Sequence, residues 1–410
     1  MKSQQLRPLC ICLMFLSSLI TSTSFSQSCL PGGITFGEQS EIDAFQSEYP
    51  GCSIIEGDVL IKGDITNLAG LNVLTEIQGR LRFYSLENLE NMSGLDNLET
   101  IGGDLDIYNW PGSATSLTNL HGLEKLASVR GDLLIVGNSA LVSLQGLNSL
   151  ASVNEGVNIS VNDVLTDFSG LDKLSSIGED VYIGESPGLR SFEGLDSLHT
   201  IGGLLEIYGC ASLESLDGLE GLEHISSVLK IGQCGALQSL EGLVNLTSIG
   251  GYLEIYRNNA LMSLEGLENL EASSIGSLFI VENEQLSTCA ISSICNYIAT
   301  EDADITIYSN AEGCNNIEEV ESRCSSNDLT EQSPDPKPFL YPNPAKDRIY
   351  LNLPDNMPGI TVTIFDLAGK SVHCKYYDSK NIEINGLDAG IYIVKLTCNH
   401  QCTMHKVLLY

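Results

Sequence analysis

Positive charge is scarce in this chain: 20 lysines and arginines stand against 53 aspartates and glutamates, a formal net charge of −33 over 410 residues. The deficit is uneven. Residues 1–26 carry two basic groups and no acidic one, residues 339–410 carry seven and six, and residues 27–338 carry 11 and 47. A surface this acidic repels phosphate backbones and anionic lipid, which excludes nucleic acid as a partner. Catalytic signatures are equally thin. No His-Glu-x-x-His motif occurs, and Gly369-Lys370-Ser371 ends like a phosphate loop but has Ile364 where the upstream glycine belongs. His121, His199 and His224 fall at different positions of the repeat described below, so they do not stack into one site. None of the 13 cysteines forms a Cys-x-x-Cys pair, which argues against a zinc or redox centre. The expectation is a non-enzymatic protein with no catalytic residue, no metal and no cofactor.

Long apolar runs are also missing beyond residues 9–20, a stretch too short to span a bilayer. Lys2 and Arg7 precede that run, and Ser24 and Ser26 frame a cut before Gln27. This is the pattern of a secretory signal, so 1–26 is expected to be removed on export through the periplasm, leaving no transmembrane segment. In an exported chain the cysteines default to disulfides.

What the chain has in abundance is a repeat. Gly70, Gly94, Gly122, Gly146, Gly170, Gly194, Gly218, Gly242 and Gly266 are each followed by leucine, 24 residues apart except for one spacing of 28. The four extra residues lie within 110–116. A fixed period of this length marks a solenoid whose coils stack on one another. With the glycine as position 0, apolar residues fill positions 1, 4, 7, 11, 13, 19 and 22. Positions 11 and 13 give the period-two signature of a strand, as in Leu105-x-Ile107 and Leu205-x-Ile207. Stacking them predicts one parallel sheet of about nine strands across 54–288.

Both ends need sealing. Residues 27–53 read as an N-terminal cap, with a short strand at 34–36 and a helix at 38–49 presenting Ile42, Phe45 and Tyr49; Cys29 and Cys52 bracket it. At 289–324 the repeat fails, and Cys289, Cys295, Cys314 and Cys324 surround a helix at 290–298. Four cysteines allow three connectivities, among which Cys289–Cys314 with Cys295–Cys324 is preferred. Residues 325–338 are a polar, proline-containing linker. Six short strands at regular spacing follow in 339–410, which predicts a small all-β sandwich of the immunoglobulin-like kind.

Two further columns matter. Position 16 holds Asn138, Asn162 and Asn258, read as an inward ladder that satisfies turn backbone, with Cys210 and Cys234 in the same column. Neighbouring strands lie ~4.8 Å apart and disulfide Cα separations run ~4.4–6.8 Å, so a bond stapling these two coils is geometrically allowed and expected. Position 14 holds Tyr84, Tyr108, Tyr208 and Tyr256, with Tyr182 two positions earlier in its coil. These face outward beside Arg82, Asp106, Glu206, Lys230 and Glu254, and form either a contact surface for a glycan or protein or a purely stabilising cross-strand array. Asp58, Asp104, Asp132 and Asp180 precede strands and read as turn formers, since the glycine-rich nonapeptide of calcium-binding β-rolls is absent.

Two family resemblances follow from these residues. Tyr341-Pro342-Asn343-Pro344-Ala345, Asp366-Leu367-Ala368-Gly369-Lys370 and Leu387-Asp388-Ala389-Gly390-Ile391-Tyr392, ending in a basic-then-apolar strand, resemble the sorting domain of the bacterial type IX secretion system. That resemblance implies the type IX machinery as a partner, passage across the outer membrane, and removal of the domain with release or attachment to surface lipopolysaccharide. Cys374, Cys398 and Cys402 depart from it, since such domains usually lack cysteine. Phe45-x-x-x-Tyr49-Pro50-Gly51-Cys52, the strand pattern that follows it and the Cys289 to Cys314 cap resemble the receptor L-domain. This relative of leucine-rich repeats implies a right-handed β-helix used as a recognition scaffold and brings no catalytic residues. The sequence thus predicts an extracellular or outer-membrane-surface protein for recognition or adhesion. The alternatives are a structural envelope protein without ligand and a β-helical carbohydrate-active enzyme.

Overall fold

The computed structural model describes residues 27–110 and 112–328 and, beyond them, 339–341, 348–352, 360–366, 370–377, 381–383, 387, 390–398 and 401–409. The signal segment and Ser26, as well as Pro342, Asn343, Pro344 and Gly369, lie outside the described residues. The chain divides into two units, 1–324 and 325–410.

The first unit is a stack of coils carrying two parallel sheets rather than one. A wide sheet of 12 strands takes one strand from each layer, beginning with Ile34–Glu38 and ending with Ile305–Tyr308. A narrow sheet of ten strands, most of them two residues long, begins with Gln27–Cys29 and ends with Ser248–Ile249. Strands pair in register through the array, so Leu205 lies beside Leu229 and Ile207 beside Ile231. All seven apolar positions of a coil point into the stack; in the coil opened by Gly194, residues Leu195, Leu198, Ile201, Leu205, Ile207, Leu213 and Leu216 are buried.

The repeat glycine is dictated by two constraints at once. Gly94, Gly122, Gly146, Gly170, Gly194 and Gly218 adopt φ between 102° and 119°, a conformation that other residues rarely adopt. A Cβ on Gly170 would also collide with the backbone carbonyl of Leu144 in the preceding coil.

The stack is closed at both ends. Helix α1 (Gln39–Glu48) buries Ile42 and Phe45, and Phe45 meets Phe36 edge to face at 5.8 Å. The Glu41 carboxylate accepts the N–H groups of Gly37 and Glu38 at 2.6 and 3.0 Å, which caps the helix. Cys29 is bonded to Cys52. At the other end, α2 (Ser292–Ile298) and α3 (Ile317–Asp328) cover the last coil, with Cys289 bonded to Cys314 and Cys295 to Cys324. Helix α3 runs past Cys324 into the segment read as linker. Glu319 fixes its start by accepting from the N–H groups of Gly313 and Asn315 at 2.5 and 3.2 Å.

The interior ladder is longer than its three asparagines. Asn109, Asn138, Asn162, Ser186, Cys210, Cys234, Asn258, Asn283 and Asn310 occupy successive coils and are all buried. The rule is uniform for most asparagines: Oδ1 accepts the N–H of the rung before it, and Nδ2 donates to a strand carbonyl of the preceding coil. For Asn162 these partners are Asn138 N at 3.1 Å and Ile135 O at 2.8 Å; for Asn258 they are Cys234 N at 3.0 Å and Ile231 O at 2.9 Å. The ladder therefore satisfies backbone that the coil turns would otherwise bury without partners.

The expected bond between Cys210 and Cys234 is not formed, and both are free, buried thiols. Parallel in-register strands aim the two Cα–Cβ bonds the same way, so the sulfurs lie side by side rather than facing one another. Each sulfur donates instead to the carbonyl two residues earlier, Cys210 to Tyr208 at 3.7 Å and Cys234 to Gly232 at 3.4 Å. The neighbouring Cys210 side chain and burial hold the Cys234 thiol well above the ordinary cysteine range.

The second unit contains two antiparallel sheets, one of three strands (Phe339–Tyr341, Arg348–Asn352, Asn381–Glu383) and one of four (Ser371–Tyr377, Ile360–Phe365, Gly390–Cys398, Gln401–Leu409). Val362, Ile364 and Val394 are buried in the four-stranded sheet. Asp366 and Lys370 close its first hairpin, the Lys370 N–H donating to the Asp366 carboxylate at 2.9 Å and the Asp366 N–H to the Lys370 carbonyl at 3.0 Å. Gly390, Ile391 and Tyr392 open the long strand. Cys374, Cys398 and Cys402 lie on strands, with side chains outside the described residues. No described helix is long and apolar enough to cross a membrane.

Candidate functional site

The outer face of the wide sheet gathers the five tyrosines into two groups rather than one stripe. Following position 14 from coil to coil, the register runs Tyr84, Tyr108, Val136, Ser160, Gly184, Tyr208, Gly232 and Tyr256. Val136 and Ser160 therefore separate Tyr84 and Tyr108 from the rest.

In the C-terminal group, glycines make room for rings. A side chain on Gly232 would collide with the Tyr256 ring, and one on Gly184 would press against that of Tyr182, so both rings lie over bare backbone. Lys230 sits between Glu206 at 3.3 Å and Glu254 at 3.6 Å, with its ammonium 5.4 Å from the centre of the Tyr256 ring. Partial burial works against the charged lysine, but the two carboxylates outweigh it and raise its pKa. Burial, with Glu185 and Glu206 nearby, likewise raises the Tyr182 hydroxyl. This group is electrostatically closed on itself.

The N-terminal group is built differently. Tyr84 and Tyr108 stack with ring centres 6.0 Å apart and planes 6° from parallel. Trp110 meets Tyr108 edge to face at 5.8 Å and donates its indole N–H to the Tyr84 hydroxyl at 2.8 Å. The Arg82 guanidinium lies 5.0 Å above the Tyr84 ring and pairs with Asp106 at 2.9 Å. Asp106 is buried although it points outward, and its Oδ1 lacks a hydrogen-bond partner. Desolvation lifts its carboxyl above the usual range, against the pull of Arg82 and Arg80.

Trp110 was missed by column counting because its coil breaks the rule. Elsewhere a residue with positive φ at position 15, such as Ser85, Val161, Glu185, Gln233 or Arg257, turns the chain so that position 16 becomes the inward rung. In the coil opened by Gly94 that turn is absent, Asn109 takes the rung one residue early, and Trp110 is left outside, 57% exposed. The 28-residue spacing was the only sequence sign of it.

The turn aspartates bridge coils. Asp58, Asp104, Asp132 and Asp180 each accept a backbone N–H of the next coil, from Arg80, Asp132, Gly156 and Leu204 at 2.7 to 3.1 Å. Asp104, Asp132 and Glu155 bring carboxylate oxygens within 4.8 Å of one another, but the first two are committed to these bonds and Asp104 also pairs with Arg80 at 2.7 Å. His121, His199 and His224 are engaged separately, by Glu124, the Ser197 carbonyl and the Ser248 hydroxyl. The core void beside Phe168 and Phe192 measures about 10 Å³, at or below the space one water needs.

Two family models match the chain. Residues 51–142 match the Receptor L domain, and residues 339–410 match the Secretion system C-terminal sorting domain. The latter implies interaction with the type IX secretion machinery and export to the cell surface or the extracellular space. No curated protein matches the chain.

Proposed function

We propose that the protein is a non-enzymatic recognition or adhesion module, carried out of the cell by its C-terminal sorting domain and reading its target with the outer face of the wide sheet. The observation that carries this reading is the aromatic content of that face. Tyr84, Tyr108, Tyr182, Tyr208 and Tyr256 project from one in-register sheet whose backbone is fixed by the buried asparagine ladder, and Trp110, just past one of its strands, packs against Tyr108. Rigid aromatic side chains on a rigid support give contact area with little ordering cost on binding. A signal at 1–26 delivering the chain to the periplasm, and a release or lipopolysaccharide-anchoring step at the surface, belong to the same reading. The regular coils, with one short insertion, favour a contact surface over the deep cleft a polysaccharide lyase would need.

Incubating the purified protein with polysaccharides and with cell-surface extracts tests this. Saturable retention without new reducing ends or unsaturated products is the expected result. Product release would place the protein among enzymes, and no retention on any material would leave a structural envelope protein.

A further inference from the structure

We infer that Trp110, Tyr108 and Tyr84 form a binding platform for a neutral polysaccharide chain; this rests on the recognition reading above and names its site and ligand class. Four observations converge. Trp110 is the only tryptophan of the chain and lies at the only irregular spacing of the repeat. It is 57% exposed, yet it is held by Tyr84 and Tyr108 rather than loose. Its N–H is already satisfied by the Tyr84 hydroxyl, so what its exposed surface still offers is apolar ring. On the same outward face lies the Asp106 side chain, 8% exposed, with one oxygen on Arg82 and the other without a partner.

The chemistry that fits an exposed ring face edged by a carboxylate, a guanidinium and a phenol is a pyranose. Its axial C–H faces stack on aromatic rings, and its equatorial hydroxyls pair with planar polar groups. A protein partner would want a broad apolar floor, whereas the loop beside Trp110 is polar, with Thr115 and Ser139 hydroxyls 3.4 Å apart. The 11 basic and 47 acidic residues of 27–338 repel anionic polymers, which selects neutral glycans. The stacked pair Tyr84 and Tyr108 and their in-register neighbour Val136 continue the floor across coils, so a linear chain rather than a single sugar is the matching shape.

Because Trp110 is the single tryptophan, its fluorescence reports from the platform alone. The full chain is titrated with soluble β-glucan, galactomannan and xylan, and with polygalacturonate as the anionic comparison. Retardation in gels containing each polymer is measured in parallel. The expected result is a saturable emission change with at least one neutral glycan and none with polygalacturonate. Trp110→Ala and Tyr108→Ala, at unchanged melting temperature, should weaken retardation by roughly tenfold or more, and Met262→Ala, at an exposed residue outside the wide sheet, should leave it unaltered. Retardation undiminished in Trp110→Ala, or a preference for polygalacturonate, overturns the platform. If cell-surface extracts retain the protein while no neutral glycan does, the glycan assignment fails and recognition stands; if neither is retained, both fail.

Discussion

Cys210 and Cys234 occupy consecutive rungs of the interior ladder, and each sulfur donates to a carbonyl of its own coil instead of bonding to the other. In a solenoid closed by Cys29–Cys52, Cys289–Cys314 and Cys295–Cys324, these two are the thiols left over among the described residues. Alkylation of native protein should therefore spare both, since neither is accessible. Alkylation after unfolding without reductant should label Cys210 and Cys234 and leave the six bonded cysteines blocked. Peptide mapping by mass spectrometry reads the pattern, and a Cys210–Cys234 cross-linked peptide would refute it.

The ladder makes a steep prediction at Asn162. Replacing it with alanine strands the Asn138 N–H in a dry interior and removes a donor from the Ile135 carbonyl. A loss of roughly 2–4 kcal/mol in unfolding free energy is expected from the orphaned group and the lost hydrogen bonds. Asn162→Asp keeps the acceptor, loses the donor and buries a charge, so it should cost more. Urea denaturation of both variants measures this.

Two glycines separate conformational need from mere smallness. Gly170 has φ +117° and a Cβ there would strike the Leu144 carbonyl, whereas a Cβ on Gly235 meets nothing within 4 Å. Gly170→Ala should lower stability by roughly 2–4 kcal/mol, and Gly235→Ala should stay within about 0.5 kcal/mol of the parent.

Acid should loosen the stack from its ends. Backbone N–H groups of Gly37 and Glu38 lower the pKa of Glu41, and those of Gly313 and Asn315 lower that of Glu319. A carboxyl depressed in the folded state binds fewer protons there than when unfolded, so its contribution is complete above the ordinary value of ~4.3 and drains away as pH falls through the depressed one. Hydrogen exchange across that window should show protection lost first in α1 and at the start of α3. Glu41→Gln should shift the response of α1 and leave α3 as it was.

The stacking was legible because a 24-residue period leaves little freedom: glycine, leucine and the Leu-x-Ile strand recur until only a parallel coil satisfies them. The narrow sheet was not, since strands such as Thr100–Ile101 are two residues long and show no alternation. Helix α3 was hidden because its charged sequence buries little beyond Val320. The face tyrosines could be assigned outward from their columns, but their division into two groups depends on Val136 and Ser160, which carry no signal of their own. Trp110 escaped because an insertion erases the column that would have placed it. The free thiols escaped because strand spacing permits a bond that side-chain direction does not make.

The in-register stack also governs how such a gene can change. Removing residues 147–170 would join Gly146 directly to Leu171 and leave every later column where it was, because the Gly-Leu step is restored at the junction. A deletion one residue longer or shorter would displace every later column unless a turn absorbed the difference, as the turn within 110–116 absorbs its four extra residues. Unequal recombination between repeats is thus accommodated most simply in whole coils, and the length of the exposed face is inherited in steps of one strand.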